Sequence, residues 1–327
     1  MRVERRPLAE AVGHILMHNI VDSEGRRVVR KGTRLDGDAL RRLADAGFYE
    51  VTVAVLDATD VHEDEAARVL AEALLTPELH ITWGVGGRAN FHSEVLGVVY
   101  LDEERLHRFN ALPGITLATV PPYTVVRPEE HRGLVATLKI IPFAVPQEVV
   151  QQARRIACEG TSLINVRPLR GARVALLLTG HPSALARLQA QFEPPTRQRL
   201  ERLGSVLQTV LLAEQEEEVI AQRAHQLLTT HDLLIISGQT SVMDLDDITL
   251  RALRRIGAAV TVHGAPVDPG NLLALAYWHD KPVMCAPGCA RSLSRNVVDL
   301  VLPRLLVGER LTQESVAALG VGGLLHR

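Results

Sequence analysis

Cysteine is scarce in this sequence, and long apolar runs are missing. The three cysteines, Cys158, Cys285 and Cys289, are too few and too unevenly spaced for a disulfide framework or a zinc cluster. No apolar run approaches the roughly 18 residues that a membrane-spanning helix needs, and the first residues lack the apolar core of a signal peptide. These absences argue against a membrane partner and predict a cytoplasmic protein.

An excess of one charge is missing as well. The chain has 36 basic and 38 acidic residues, so its formal net charge is −2. This balance favours no nucleic-acid or other polyanion-binding surface. The sequence also lacks a Ser-His-Asp arrangement and a P-loop lysine. With 327 residues, 46% hydrophobic and 23% charged, the chain has the composition of a globular protein, and two domains are expected.

The amino-terminal half, residues 1–170, is predicted to be a mixed α+β region. It divides by pattern into residues 1–76 and 77–146, followed by a linking helix over residues 147–157. Apolar side chains alternate over residues 51–55, which predicts a strand, and Glu63 opens the acidic first turn of a helix. Pro142 and Pro146 indicate that a strand beginning near residue 136 closes this region.

Two features of that half have both a structural and a functional interpretation. Residues 84–90 form a glycine-rich connection with Arg88 and Asn90, which is either an ordinary turn or a loop that approaches an anionic ligand. Lys139 is a single charge inside an apolar strand, and such a charge is costly unless it reaches solvent, pairs or meets a ligand. The sequence leaves both alternatives open.

The carboxyl-terminal half, from residue 171 to about residue 310, alternates strand and helix. Strands are predicted at residues 173–178, 206–212, 233–236, 259–263, 272–277 and 282–285. The helix after the first strand is expected to be interrupted at Pro194 and Pro195. Alternating βα units predict a mostly parallel sheet with helices on both faces, a three-layer α/β domain. Residues 311–327 follow it as a tail.

Four loops follow strands of this sheet and are expected to share one edge. They cover residues 179–183, 237–247, 266–271 and 287–292, and ligands of such sheets bind at the carboxyl ends of the strands. Hydroxyls, glycines, backbone N–H groups and one arginine suit a phosphate-bearing ligand. Cys289 precedes a helix, where the pKa of a thiol tends to fall, so a sulfur or metal contact competes with simple packing.

Three stretches at these loops resemble a known family. They are Ser237-Gly238-Gln239-Thr240-Ser241-Val242 with its following aspartates, then Pro269-Gly270-Asn271, then Pro287-Gly288. Over residues 171–310 the chain is similar to the molybdopterin-binding fold shared by molybdenum-cofactor biosynthesis proteins. Residues 87–90, 116–119 and 136–143 resemble the companion domain of a less characterised branch of molybdopterin-binding proteins.

The resemblance implies a pocket for molybdopterin or the molybdenum cofactor. The residues that it implies for this pocket are Thr179, Gly180, Ser237, Gly238, Thr240, Ser241, Pro269, Gly270, Asn271, Pro287, Gly288, Arg291 and Ser292. Asp244 and Asp246 fall on acidic positions of the family, which implies a catalytic role for both and Mg²⁺ binding by Asp246.

The chain also departs from the metal-inserting enzymes of the family. His181 stands where those enzymes have an acidic residue, and Cys289-Ala290 replaces an Asn-Pro pair. An MDGYA-like segment of their amino-terminal portion has no counterpart in this sequence. These differences favour binding over catalysis.

The expected function is therefore binding of the pterin cofactor during its biosynthesis, modification or delivery. Proteins of the molybdenum-cofactor pathway are the expected partners, and a homo-oligomer is the expected assembly. One alternative is a Mg²⁺-dependent molybdotransferase that inserts molybdate. Another is a structural protein that acts in oligomerisation, in which Asp244 or Asp246 merely caps the next helix.

Overall fold

The structure, a computed structural model, describes residues 1–325 and divides into two compact units. The first unit contains residues 1–95 and 99–166, and the second contains residues 96–98 and the chain from residue 167 onward. Among the described residues, no helix is both long enough and apolar enough to cross a membrane.

Short strands and four helices make up the first part of the chain, in an α+β arrangement. Its elements are β1 (Arg2–Pro7), β2 (Ile15–Leu16), β3 (Ile20–Val21), β4 (Arg27–Val29), α1 (Gly37–Asp45), β5 (Glu50–Val55), β6 (Asp60–His62), α2 (Glu63–Leu74), β7 (Leu79–Trp83), β8 (Arg88–Ser93), β9 (Gly97–Leu101), α3 (Glu103–Asn110), β10 (Ile115–Thr119), β11 (Val125–Val126), β12 (Leu134–Ile140), β13 (Ala144–Pro146), α4 (Gln147–Cys158) and β14 (Ile164–Pro168). The strands form sheets in the orders β1-β5-β2, β10-β12-β8-β7 and β11-β9-β14, and the pairs β13-β6 and β3-β4.

Two separate hydrophobic cores lie in the first unit. One is built from residues between Ala11 and Val55, and α1 packs into it after Asp36 caps the helix by accepting from the backbone N–H of Ala39. The other joins α2 and α4 to one face of the four-stranded sheet, where Phe91 and Leu138 are fully buried. The sheet therefore buries one face because apolar side chains alternate along its strands.

The second unit is an α/β domain. Its elements are β15 (Arg173–Gly180), α5 (Pro182–Arg202), β16 (Val206–Glu214), α6 (Glu217–Thr230), β17 (Leu233–Gly238), α7 (Ile248–Arg255), β18 (Ala259–His263), β19 (Ala274–Trp278), β20 (Lys281–Cys285), α8 (Val297–Leu306) and α9 (Gln313–Ala317). The strand order is β16-β15-β17-β20-β19-β18. β19 alone runs against the common direction of the other five strands, which confirms the mostly parallel sheet.

Helices cover both faces of this sheet. Leu177 and Ile236 pack with α6 and α7 on one face. Leu176 and Leu178 alternate with Leu177, so they point to the other face, and they are also fully buried. The expected three-layer fold is therefore present. In the stretch after residue 310, α9 contacts β18 and buries Val316.

Pro194 and Pro195 do not interrupt α5, contrary to the expectation from sequence. The helix continues from Pro182 to Arg202 with both prolines inside it. Buried Phe192 and Leu200 flank the prolines, so packing of this helix face offsets the hydrogen bonds that the prolines cannot make.

Lys139 is bonded within the first unit. Its ammonium lies 3.2 Å from a carboxylate oxygen of Glu63 and also donates to the backbone oxygens of Gly86 and Ile140. Glu63 begins α2 and is buried. A Cβ at Gly87 would lie 2.8 Å from the Cβ of Glu63, so close packing against α2 explains this glycine of the connection.

We expect the Lys139→Met variant to lower the free energy of unfolding by about 2 kcal/mol, because buried Glu63 would lose its cation. The double variant Lys139→Met with Glu63→Gln should recover part of that loss. Urea unfolding measures both. The control, Arg108→Met, removes a partner of Glu159 from an exposed ion pair and should change stability little. Equal stability of Lys139→Met and wild type would contradict this account of the pair.

Candidate functional site

The strand directions of the second unit bring the four loops to one edge of the sheet. β15, β17, β18 and β20 run in the same direction, so their carboxyl ends share that edge. The backbone N–H of Gln239 donates to the carbonyl oxygen of Thr179 over 2.9 Å, which joins the first two loops. The N–H of Gly288 lies 3.3 Å from Oγ of Ser241, which joins the second and fourth.

The first loop leads directly into α5. Thr179 is buried, and His181 caps the helix because its Nδ1 accepts from the backbone N–H of Ser183 over 3.3 Å. The backbone N–H of His181 donates to Oε1 of Gln239 over 3.2 Å. His181 therefore has a capping role in the place where the resemblance would have an acidic residue. The side chain of Gln239, which sequence reasoning passed over, crosses from the second loop to the first.

The central loop contains hydroxyls in two different environments. Ser237 is buried, and its hydroxyl donates to the carbonyl oxygen of Ala286 over 3.4 Å. Thr240 is exposed and accepts from the side-chain amide of Gln215 over 2.9 Å, while Ser241 is half-buried. A Cβ at Gly238 would lie 2.7 Å from Oγ1 of Thr179, so close packing requires glycine there. The hydroxyls of Thr240 and Ser241 are the ones that a ligand can reach.

The aspartates at the end of this loop differ in their contacts. Oδ1 of Asp244 accepts from the backbone N–H of Asp246 over 2.6 Å. Asp246 is exposed, and its carboxylate lies 3.5 Å from Arg251, which also pairs with Glu217 at 2.9 Å. Asp247 caps α7. The capping alternative for Asp244 or Asp246 is therefore wrong, because the residue next to α7 takes that place.

No group of three or more metal-ligating side chains stands together among residues 1–325. The assignment of Asp246 to Mg²⁺ and of Asp244 and Asp246 to catalysis therefore stays a prediction.

The third loop packs against the start of α8. The carbonyl oxygen of Pro269 accepts from the backbone N–H of Val297 over 3.1 Å. Gly270 has a φ of +134°, and a Cβ there would lie 2.3 Å from Cγ1 of Val297. Only glycine fits this position. Asn271 is exposed at the loop surface, and its carbonyl oxygen accepts from the N–H of Ala265.

The fourth loop places the guanidinium of Arg291 beside the backbone of Gly288. Nε of Arg291 donates to the carbonyl oxygen of Gly288 over 3.1 Å, and Nη1 lies 3.3 Å from Oε1 of Gln191. The guanidinium also lies over the ring of Phe192, 5.2 Å from its centroid. A Cβ at Gly288 would stand 3.0 Å from Nη2 of Arg291 and 3.9 Å from Oγ of Ser241. We call the space bounded by Ser241, Gly288 and Arg291 the cradle.

Buried polar side chains that sequence reasoning missed hold this loop in place. Arg199 of α5 donates to the carbonyl oxygens of Ala290 and Ser292, at 3.0 and 2.6 Å, and to the carboxylate of Asp299 at 2.8 Å. Asn296 caps α8 and donates to the carbonyl oxygens of Cys289 and Ser294. The sequence contained a signal for the burial of Arg199: it follows Phe192 by seven residues, so the two side chains share one face of the helix.

Burial has the largest effect on the pKa of the thiols of Cys285 and Cys289. Burial raises the pKa of Cys285 to about 12 and also raises the pKa of Cys289. The expected fall in the pKa of Cys289 is therefore wrong, and packing is the role that its environment supports.

One known family has a model that matches most of the second unit. Residues 175–307 match the model of a family described as a probable molybdopterin binding domain. The carboxyl-terminal unit carries a domain of this family. Residues 5–55 match a separate model, a domain of unknown function. No curated protein matches the chain.

Several solved structures resemble the chain at low identity. A molybdopterin biosynthesis MoeA protein from Pyrococcus horikoshii is 13% identical, with a TM-score of 0.33, covering 94% of this chain and 75% of that one. Molybdenum cofactor biosynthesis protein B is 15% identical, with a TM-score of 0.30, covering 41% and 93%. CinA from Thermoplasma acidophilum, of unknown function, is 14% identical, with a TM-score of 0.31, covering 37% and 92%. The family match over residues 175–307 is what assigns the second unit.

The Arg199→Met variant should loosen the fourth loop of the molybdopterin-binding-type domain. We expect a loss of about 3 kcal/mol in the free energy of unfolding, because Asp299 and the carbonyl oxygens of Ala290 and Ser292 lose their donor. Hydrogen exchange at residues 288–294 should accelerate. The matched control is Arg197→Met on the same helix, which removes a more exposed pair with Glu193. If both variants behave alike in urea unfolding and exchange, Arg199 does not hold the loop.

Proposed function

We propose that the protein binds molybdopterin or the molybdenum cofactor at the carboxyl edge of the six-stranded sheet. The role would be in biosynthesis, modification or delivery of the cofactor, with proteins of that pathway as partners. The supporting observation is that the family match over residues 175–307 includes the cradle, where a hydroxyl, a glycine and a guanidinium converge.

The cradle suits the phosphate end of such a ligand. Among the described residues, Arg291 contacts neutral groups and forms no ion pair. A phosphate oxygen is a stronger acceptor for a guanidinium than the carbonyl oxygen of Gly288, so an incoming anion would compete well for it. The hydroxyl of Ser241 supplies a further donor at the same place.

The remaining predicted residues would surround the pterin. Thr240 offers its hydroxyl from the second loop, and Gly180 and Gly238 bring backbone close to the same edge. Thr179 and Ser237 are buried, so they would support the loops more than contact the ligand. Residues 269–271 and Pro287 would form the wall, and Ser292 would hold the loop through the carbonyl oxygen that Arg199 binds.

Binding is tested by titrating the purified protein with molybdopterin, followed by fluorescence. A parallel test is mass spectrometry of pterin released from protein made in a cofactor-producing host. We expect saturable binding, and absence of binding to both molybdopterin and its molybdenum form would remove the proposal.

The Gly288→Ala variant should weaken that binding about tenfold, because its methyl group would crowd Arg291 and fill the cradle. Gly288 does not have a positive φ, and the crowded atom is the end of a flexible side chain, so the fold should persist. The control is Gly37→Ala, where a Cβ meets no atom within 4 Å. Unchanged affinity of Gly288→Ala would place the ligand elsewhere.

A second candidate is the Mg²⁺-dependent molybdotransferase, which the exposed carboxylates of Asp244 and Asp246 at the same edge favour. Carboxylate oxygens are suitable Mg²⁺ ligands, but Asp246 would have to exchange its contact with Arg251 for the ion. We expect Asp246→Ala to keep molybdopterin affinity within about threefold, since Asp246 lies outside the cradle. If the wild type inserts molybdate with Mg²⁺ and Asp246→Ala does not, the molybdotransferase hypothesis is supported. Equal insertion by both removes it.

The expected homo-oligomer also stays a proposal, which the molar mass of the protein in solution tests. The purely structural alternative predicts an oligomer that binds no pterin, so the two measurements together distinguish it from the binding function.

A further inference from the structure

A cavity of about 490 Å³ lies within the first unit, away from the residues of the family match. Its walls come from the turn after β4, the start of α2, the connection between β7 and β8, and the end of β12 with the residues that follow. Sites that bind small organic ligands have volumes of this order.

The carboxylate of Glu63 is one polar group of the wall, beside Thr33, His62 and Asp64. Glu63 is 7% exposed, and one of its oxygens, Oε2, pairs with Lys139. The ammonium of Lys139 is saturated, because it has three acceptors in Glu63, Gly86 and Ile140. Among residues 1–325, no side chain or backbone group donates to Oε1 of Glu63. Oε1 keeps some access to solvent, so a donor group of a ligand in the cavity can reach it.

Cations without partners line the same cavity. Arg30 and Lys31 are exposed, and neither forms an ion pair within the described part of the chain. Such side chains recognise phosphate or carboxylate groups. They belong to the turn whose Gly32 faces Phe143, since a Cβ at Gly32 would lie 3.2 Å from the ring.

Apolar side chains complete the lining. Val85 and Ile141 are 78% and 61% exposed, which is high for large apolar residues, and Phe143 adds an aromatic ring. Exposed apolar groups beside a cavity with a few polar groups are the usual composition of a ligand site. They offer a surface on which a flat heterocycle can pack.

We propose that this cavity binds a nucleoside monophosphate whose base carries an exocyclic amino group. The phosphate pairs with Arg30 and Lys31, the amino group donates to Oε1 of Glu63, and the base packs against Val85, Ile141 and Phe143. The volume accommodates one nucleotide, and the anionic and donor ends of such a ligand match the two kinds of charge in the lining. This site does not depend on the proposed pterin function.

Calorimetry with AMP, GMP, CMP, IMP and inorganic phosphate tests the proposal on the full chain. At least one amino-bearing nucleotide should bind saturably. GMP and IMP differ only in the exocyclic amine, so if GMP is the ligand, IMP should bind about tenfold more weakly. Absence of saturable binding of AMP, GMP and CMP at millimolar concentration overturns the proposal, as does binding of inorganic phosphate alone.

Variants then locate the site. Arg30→Gln and Lys31→Gln should each weaken nucleotide affinity about tenfold through loss of a charge-assisted hydrogen bond. Glu63→Gln should reduce the discrimination between amino-bearing and amino-free nucleotides, because the amide oxygen would stay with Lys139 and an NH2 group, which cannot accept a hydrogen bond, would replace Oε1. The matched control is Arg34→Gln, a cation of the same segment outside the lining. The proposal fails if Arg34→Gln weakens binding as much as Arg30→Gln does, or if none of the lining variants changes it. The unfolding temperature of each variant verifies that it is folded.

Discussion

The buried guanidinium of Arg199 is the interaction on which the ligand edge of the second unit depends. It lies on α5, about a hundred residues before the groups that it binds, and it joins the backbone of the fourth loop to Asp299 of α8. A buried cation must keep its partners, so the loop cannot move away without leaving a charge uncompensated. The position of Gly288 and Arg291 is therefore a consequence of packing beneath the loop, and not of the loop sequence alone.

The charges of this edge are separated along the sheet. Asp246, Arg251 and Glu217 form a connected group on the side of α6 and α7. Arg291 lies on the side of α5, where its neighbours are Gly288, Gln191 and the ring of Phe192. A ligand with an anionic end and a polar, less charged body would be oriented by this difference, with its anion directed toward Arg291.

Local patterns in the sequence predicted the six strands and most helices of the second unit, and the edge of the sheet where the loops meet. In the first unit they missed several strands, among them β8, whose first residues were interpreted as part of a glycine-rich connection. Alternating and helical periodicity is a property of neighbouring residues, and the parallel order follows from βα repetition. Contacts between distant residues decided the features that the sequence did not predict. The prolines of α5 are tolerated because Phe192 and Leu200 on the same helix are buried in the core. Burial likewise raises the pKa of the Cys289 thiol. The sequence allowed Asp244 or Asp246 as the cap of α7, but Asp247, which directly precedes the helix, takes that position.

In both units, the contacts that a polar group already makes within the fold separate structural groups from candidate binding groups. Ser237 and Lys139 were candidate ligand contacts in the sequence. In the fold Ser237 is buried and bonded to Ala286, and the ammonium of Lys139 already has three acceptors. Thr240, Ser241 and Arg291 have exchangeable partners, and Arg30 and Lys31 have no ionic partner among the described residues. A ligand gains free energy only from groups whose existing contacts are weaker than those it brings, because binding also has an entropic cost. Residue type and spacing identify where polar groups gather, and the completeness of their contacts decides which of them a ligand can use.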